Sequence, residues 1–457
     1  GERRIQPRTV SYLAALRLNQ ARELPAGGAQ LRWCEADGTR AEPALDLAAD
    51  AKVFVLEPRL SEVRDFEWED GGSGARDAIL RPLYHLRHKI QDRFAFAAAA
   101  VEIDRLRGPF AGGRWVFWLC DEPPGRLVMP RLLARARQAP IDLRLDPTFA
   151  CFHAGERASA LLRVHRPRAD EVDELQVDIE IEDSSGKSLW KHAALALQAG
   201  KHGSARIDIP VELTPGLYRL RASTAGRPPF CTGFWVFDPA LFASGGPLDF
   251  DGYTMRRAGK AEPVIGTTLM SRSVHRKFLF EPNAAEWDAS FAELESLGIN
   301  MVRTGIWTSW RKITPDPGVV DEGFVRALEA YYLSARRHGI PVIFTFFAFM
   351  PEAFGGANPY LDPRAVEGQR AWLSQMAQRF RDTKEMLWDL INEPSFSNPD
   401  KPWQCRPNGD EYETAAFLRW REQRYGSRAA AAASPEPTAA TRSGRTHAGR
   451  SACPRPP

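Results

Sequence analysis

Between residues 264 and 427 the sequence alternates short, almost continuously apolar segments with longer segments whose apolar residues repeat at helical spacing. Apolar runs of this kind are typical of strands buried on both faces, and buried strands that alternate with amphipathic helices form a parallel sheet covered by helices. Glycines that end helices and one Asp-Pro pair that opens a helix support the boundaries. The pattern predicts four strand–helix units, with strands at 264–269, 299–304, 340–347 and 386–391, and helices at 287–297, 324–338, 362–380 and 415–424.

These four units span 164 positions, or 41 for each unit, which is compatible with half of a (β/α)8 barrel that carries some long loops. A doubly wound open sheet is the alternative, but no Gly-rich phosphate loop follows the first strand. We therefore expect a partial α/β fold, the N-terminal half of a TIM barrel, at 264–427.

The segments before the barrel have a different period. At 141–240 apolar and polar residues alternate, as in Leu175, Val177, Ile179 and Ile181, and turn residues recur at short intervals. Alternation of this kind is typical of antiparallel strands with one buried face, and about seven strands in 100 residues favours an immunoglobulin-like β-sandwich.

Residues 1–140 are predicted to form a second β-rich accessory domain, with strands at 53–56 and 115–119 and one helix at 77–90. Residues 241–263 are expected to be a linker. The last 30 residues, 428–457, contain no large apolar residue, so they predict a disordered low-complexity tail. The change of composition is abrupt, which favours a frame-shifted or truncated end over a natural tail. The expected fold class is thus multidomain: β-sandwich accessory domains followed by a partial TIM barrel.

Composition excludes several classes of function. The 61 basic residues nearly balance the 58 acidic ones, so charge gives no reason to expect nucleic acid or an anionic membrane as a partner. No apolar run is long enough to span a bilayer, and no apolar core of a signal peptide is visible. The six cysteines include no C-x-x-C pair, so a zinc or redox motif is unsupported. We expect a soluble protein without a cofactor, and its compartment and oligomeric state stay open.

The strongest chemical signal is the end of the fourth strand, where Asn392 and Glu393 precede Pro394. Proline cannot continue the strand ladder, and strands of a barrel end at the active-site mouth. A carboxyl group at the rim of an apolar strand is expected to be partly desolvated, which favours the neutral form that a general acid requires. Simple turn chemistry after a strand is the alternative.

Three segments, NMVRTGIW at 300–307, HGIPVIFTFF at 338–347 and MLWDLINEPS at 386–395, resemble the clan of retaining (β/α)8 glycoside hydrolases. This clan includes the family 5 cellulases and mannanases and the β-galactosidases. The resemblance covers about 160 of the 457 residues. It implies hydrolysis of O-glycosidic bonds in a carbohydrate substrate by double displacement, without a cofactor.

The resemblance also implies roles for particular residues. Glu393 would be the general acid/base, Asn392 would bind the sugar 2-hydroxyl, and Arg303 would orient the nucleophilic carboxylate, although Arg303 could equally form an ordinary ion pair. Aromatic rings near the strand ends are candidates for stacking on sugar, with loop packing as the alternative: Trp307, Trp310 and Tyr360.

The nucleophile itself has no counterpart in the sequence. In the clan it is a Glu on the seventh strand, whereas 264–427 supplies four strands. We therefore expect that this chain does not turn over substrate by itself. A non-catalytic carbohydrate-binding protein and an adhesive β-sandwich protein stay open as alternatives.

Overall fold

The computed structural model describes residues 3–5, 18–26, 29–33, 45–58, 77–88, 94–108, 110–225, 227, 229–307, 310–395 and 408–426. Contacts divide the chain into two compact units. The first unit comprises the described residues of Gly1–Pro315, Val320–Thr345 and Gln378–Asp389. The second unit comprises those of Asp316–Val319, Phe346–Ala377 and Leu390–Pro457. The tail predicted at 428–457 lies outside the described residues.

The N-terminal part of the first unit is built from antiparallel strands. They form a three-stranded sheet in the order β1-β2-β5 and a five-stranded sheet in the order β4-β3-β6-β7-β8. The strands are β1 Arg3–Ile5, β2 Leu18–Pro25, β3 Ala29–Trp33, β4 Leu45–Asp46, β5 Lys52–Pro58, β6 Ala78–His88, β7 Phe94–Arg105 and β8 Arg114–Trp118. Both strands predicted from the sequence here, at 53–56 and 115–119, are confirmed as β5 and β8.

The helix predicted at 77–90 is wrong, because this segment is strand β6. Its apolar residues fit a helical spacing, but β6 pairs with β3 on one side and β7 on the other, so its backbone hydrogen bonds go to the sheet. Pro82 marks the first of the register shifts against β7, where a missing N–H is tolerated. Among the described residues of this region, the helix is α1, Val128–Ala136, which buries Val128 and Leu132.

The next strands of the first unit share one apolar core. A five-stranded sheet has the order β10-β16-β15-β12-β13, and a three-stranded sheet has the order β14-β11-β9. The alternation predicted along 175–181 is confirmed, since Val177, Ile179 and Ile181 are fully buried in this core. The strands are β9 Asp142–Pro147, β10 Cys151–Phe152, β11 Ser159–His165, β12 Asp173–Asp183, β13 Ser188–Ala199, β14 His202–Asp208, β15 Gly216–Ser223 and β16 Phe230–Val236. The immunoglobulin-like layout and the domain boundaries stay predictions.

Residues 239–261 have secondary structure of their own. They hold the short helix α2, Pro239–Phe242, and an antiparallel sheet of β17 Leu248–Phe250, β18 Met255–Arg257 and β19 Lys260–Ala261. Arg257 of β18 binds both oxygens of Glu385, each at 2.7 Å. Glu385 is fully buried, and it also accepts hydrogen bonds from the Arg336 guanidinium and from the Gly246 backbone N–H. This carboxylate therefore fixes the start of the strand that follows it.

The strand–helix alternation predicted from 264 onward is confirmed. The strands are β20 Gly266–Thr268, β21 Met301–Gly305, β22 Val342–Ala348 and β23 Met386–Asn392, which lie in this order in one sheet. The pairs β20–β21 and β21–β22 are parallel. The helices are α3 Ala284–Ser296, α4 Trp310–Ile313, α5 Glu322–Arg337, α6 Pro363–Arg379 and α7 Glu411–Tyr425.

Local sequence explains where these helices begin and end. Asn283, Asp321 and Asp410 each accept a hydrogen bond from the backbone N–H three residues later, which satisfies a free donor of the first turn. Gly298 and Gly339 follow α3 and α5 in the left-handed region, with φ of 76° and 67°. Within the described residues, none of the helices combines the length and the apolar character needed to cross a membrane.

Candidate functional site

Strand β23 ends at Asn392, and Glu393 is the first residue after it. The φ angle of Glu393 is 49°, in the left-handed region that non-glycine residues rarely adopt and that costs energy to maintain. The side chain of Glu393 is exposed. The partial desolvation expected from the sequence is therefore wrong, because the backbone turns out of the apolar strand before this residue.

Two backbone hydrogen bonds within the second unit hold the segment that contains Glu393. The N–H of Phe349 donates to the carbonyl of Asn392 at 2.8 Å, and the N–H of Ser395 donates to the carbonyl of Phe349 at 2.6 Å. Phe349 is itself left-handed, with a φ of 66°. A residue on the segment after β22 thus fixes both sides of the Glu393 turn.

Tyr360 supports the same turn from the loop that precedes α6. Its hydroxyl donates to the carbonyl of Ser395 at 2.7 Å, and burial raises the pKa of Tyr360 to about 12. The backbone N–H of Tyr360 donates to the side-chain oxygen of Asn358 at 2.9 Å. Tyr360 thereby connects its own loop to the Glu393 turn, a role that the sequence did not suggest. Stacking of its ring on a sugar stays a prediction.

Asp362 is the helix cap predicted from the Asp-Pro pair. Its carboxylate accepts the backbone N–H of Arg364 at 3.0 Å, in the first turn of α6, and the backbone N–H of Ala357 at 2.8 Å. These bonds tie the loop that carries Tyr360 to the start of the helix.

Arg303 lies on β21 in the first unit, where its carboxylate partner is Asp389 of β23. The Arg303 Nε lies 3.1 Å from Asp389 Oδ2, and the Thr345 hydroxyl of β22 donates to the same oxygen at 2.8 Å. Each member of the ion pair is about one-third exposed. The role of Arg303 beside a nucleophile stays a prediction. Asp389 was missed from the sequence, although a charged residue inside the apolar run 386–391 is a visible signal.

The aromatic candidates after β21 are described to different extents. Trp307 is half-buried, and the Arg303 guanidinium carbon lies 5.4 Å from its ring centroid, within the range of a cation–π contact. The indole N–H of Trp307 is buried and has no acceptor among the residues that the structure describes. Trp310 begins helix α4, and its side chain lies outside the described part.

One group of potential metal ligands lies in the first unit, where ligand atoms of Cys151, His153 and Glu329 come within 4.8 Å of one another. The carboxylate of Glu329 already accepts a hydrogen bond from Arg379 at 2.6 Å and contacts His153 at 2.8 Å. Burial raises the pKa of the Cys151 thiol well above its ordinary value, which disfavours the thiolate that a metal requires. The contacts fit a buried ion-pair cluster.

Residues 260–422 match the sequence model of a glycoside hydrolase domain. The family is the cellulase family, glycosyl hydrolase family 5. The match covers β20–β23, Arg303 and Glu393, and it supports a partly barrel-like region that is similar to a glycoside hydrolase domain. The comparison with curated proteins found no match.

Several solved structures are similar to parts of the chain. The exo-β-1,4-mannosidase Op5Man5 from Opitutaceae bacterium strain TAV5 is 21% identical, over 32% of this chain and 27% of that one, with a TM-score of 0.28. The GH5_18 protein from Streptomyces cattleya in complex with GlcNAc is 21% identical, over 35% and 40%, with a TM-score of 0.28. The Parabacteroides merdae β-glucuronidase is 12% identical, over 63% and 32%, with a TM-score of 0.22.

The chain spans well under half of the length of each of these three solved chains. Their TM-scores are too low to carry an argument about function.

Proposed function

We propose that the chain carries the acid/base half of a retaining O-glycosidase site and that Glu393 is the proton donor. The observation that supports this most is the backbone at Glu393: a left-handed, exposed acid directly after a parallel strand, held by Phe349 and Tyr360. A strained residue persists only where its surroundings hold it, and such residues cluster at functional sites. The match to glycosyl hydrolase family 5 at 260–422 gives the class of reaction.

In the first step the carboxylic acid of Glu393 gives its proton to the glycosidic oxygen while the bond from C1 to that oxygen breaks and a carboxylate attacks C1. In the second step the Glu393 carboxylate takes a proton from water, and the water oxygen displaces the enzyme carboxylate from C1. Asn392 would bind the 2-hydroxyl, and the Trp307, Trp310 and Tyr360 rings would contact the apolar faces of sugar units.

Arg303 would position the attacking carboxylate by a charge-assisted hydrogen bond. Its pairing with Asp389 keeps the guanidinium oriented on β21. The attacking carboxylate has no assignment in this sequence, because the resemblance places it on a seventh strand. We therefore expect the chain to bind a carbohydrate without turning it over.

We further propose that residues 1–140 and 141–240 form accessory β domains, the latter a β-sandwich. The support is that the two sheets of β9–β16 share a single apolar core, while the described strands of β1–β8 contribute to two other apolar clusters.

A non-catalytic carbohydrate-binding protein is the second candidate. The exposure of Glu393 favours it, because catalytic sites usually exclude water around the reacting groups, whereas this side chain lies in water.

The test compares the intact chain with Glu393→Gln and with Glu367→Gln, an exposed glutamate of α6. Retardation in gels that contain soluble β-mannan or β-glucan measures binding, and reducing-sugar release measures cleavage. We expect the chain to bind the polymer without release of reducing sugar. Glu393→Gln should alter this binding, and Glu367→Gln should leave it unchanged. Binding that neither change alters supports the non-catalytic candidate. Release that Glu393→Gln abolishes overturns the expected lack of turnover but keeps the role of Glu393. Absence of both binding and release overturns the proposal.

A further inference from the structure

A polar cavity of about 450 Å³ lies in the N-terminal part of the first unit, and its lining includes none of the residues of the proposed hydrolase site. The turn before β8, the end of α1 and the loop after β11 surround it. Its lining includes Phe110, Gly112, Arg114, Trp115, Arg137 and Arg168.

The wall of this cavity next to the sheet contains arginines that pair with buried carboxylates. Arg114 binds Asp104 with Nε at 2.6 Å from Oδ1, and Arg135 binds Glu102 at 2.7 Å. Arg81 also reaches Asp104, at 2.8 Å. Three guanidinium groups therefore surround two fully buried carboxylates, Glu102 and Asp104.

Three more arginines border the cavity without a carboxylate partner in the described part of the chain. Arg137 and Arg168 are exposed lining residues, and Arg227 donates to the carbonyl of Ala139, which lines the cavity. Burial, together with the positive charge of Arg114, lowers the pKa of Arg227 to about 10. Arg227 thus adds a half-buried guanidinium beside the two exposed ones, and a negative ligand would face all three.

The shape of the cavity depends on small residues and an aromatic pair. A Cβ atom at Gly112, whose φ is 78°, would lie 2.2 Å from Cγ of Arg168, so only glycine lets the stem of Arg168 lie across the turn. The rings of Phe110 and Trp115 pack edge to face at a centroid distance of 5.6 Å. The cavity thus combines forked cationic donors with an apolar, aromatic side.

We propose that this cavity binds the carboxylate of an acidic saccharide. A guanidinium fork matches a carboxylate in two parallel hydrogen bonds, and aromatic rings provide the apolar surface on which a sugar ring packs. The net charge of the chain does not indicate this site, because the positive charge of the site is local to the cavity. The site is separate from the proposed hydrolase function and does not need Glu393.

The test uses affinity electrophoresis of the intact chain in gels that contain polygalacturonate, fully methyl-esterified polygalacturonate or no polymer. The variant is Arg137→Gln with Arg168→Gln, which removes two exposed guanidinium groups and leaves the buried ion pairs intact. The control is Arg157→Gln, an exposed arginine of the same unit that lies outside the cavity lining. Circular dichroism verifies that each variant is folded, and Glu393→Gln separates this site from the hydrolase site.

We expect retardation by polygalacturonate that weakens as salt is added, because exposed charges are screened. The double variant should bind about tenfold or more weakly, and Arg157→Gln and Glu393→Gln should bind as the parent does. Equal retardation by the esterified polymer would show that the carboxylate is not recognised. Binding of sodium sulfate without retardation by polygalacturonate would identify a site for free anions only. Either result overturns the proposal.

Discussion

Replacing Tyr360 with phenylalanine should loosen the turn that carries Glu393 while the loop before α6 stays folded. The change removes the 2.7 Å hydrogen bond from the Tyr360 hydroxyl to the Ser395 carbonyl and keeps the ring. A hydrogen bond of this kind contributes about 0.5–1.5 kcal/mol net, and this one is partly buried, so about 1 kcal/mol is expected. The open form of the turn should become about fivefold more populated.

Hydrogen exchange followed by mass spectrometry measures this opening at the amide of Ser395, which is bonded to the Phe349 carbonyl at 2.6 Å in the closed form. Exchange in the peptide that contains 390–395 should be about fivefold faster in Tyr360→Phe. Tyr253→Phe is the control, because Tyr253 is 97% exposed and contributes no such contact. Unchanged exchange in Tyr360→Phe would refute the view that the tyrosine hydroxyl holds this turn.

Three further predictions concern the first unit. Glu385→Ala leaves the two guanidinium groups of Arg257 and Arg336 without this buried carboxylate. The amide of Val342, which donates to the Glu385 carbonyl, should then lose about 3–5 kcal/mol of protection in hydrogen exchange. A loss below about 1 kcal/mol would contradict this. The hydrogen bond with Asp288 raises the pKa of His338 above its ordinary value of 6.5. The stabilising effect of this bond is therefore complete below pH 6.5 and is lost as pH rises through the folded-state pKa. Thermal melts across this pH range should show the loss of stability in the parent and not in His338→Asn. Gly305→Ala places a Cβ atom 2.6 Å from the carbonyl oxygen of Thr345 and should destabilise β21 by about 1–3 kcal/mol. A lower melting temperature would report this loss. An unchanged melting temperature would show that β21 and β22 can move apart without a loss of stability.

The sequence predicts the strand–helix part of the fold well because local and tertiary preferences agree there. The apolar runs at 340–347 and 386–391 suit strands buried on both faces, and the capping and glycine signals fall at the observed helix ends. Segment 77–88 shows the opposite case. Its apolar spacing fits a helix in isolation, and only pairing with β7, the next strand of the chain, and with β3, which is remote in sequence, makes it β6.

The candidate site is predictable in its residues but not in its contacts. Position at a strand end suggests Asn392 and Glu393, yet the left-handed backbone that exposes Glu393 depends on hydrogen bonds from Phe349 and Tyr360. The partner of Arg303 is likewise set by which residues of β21 and β23 share a face. The arginine cavity has no linear pattern, because the three guanidinium groups that have no carboxylate partner among the described residues come from positions 137, 168 and 227.

Strand β23 is anchored at both of its ends. Glu385, directly before it, is bound by Arg257 and Arg336, and Asn392, its last residue, accepts the N–H of Phe349. An insertion or deletion just after Glu385 would turn the residues that follow it to the opposite face of the sheet, because side chains alternate along a strand. Changes of length in this strand should therefore be far less tolerated than substitutions.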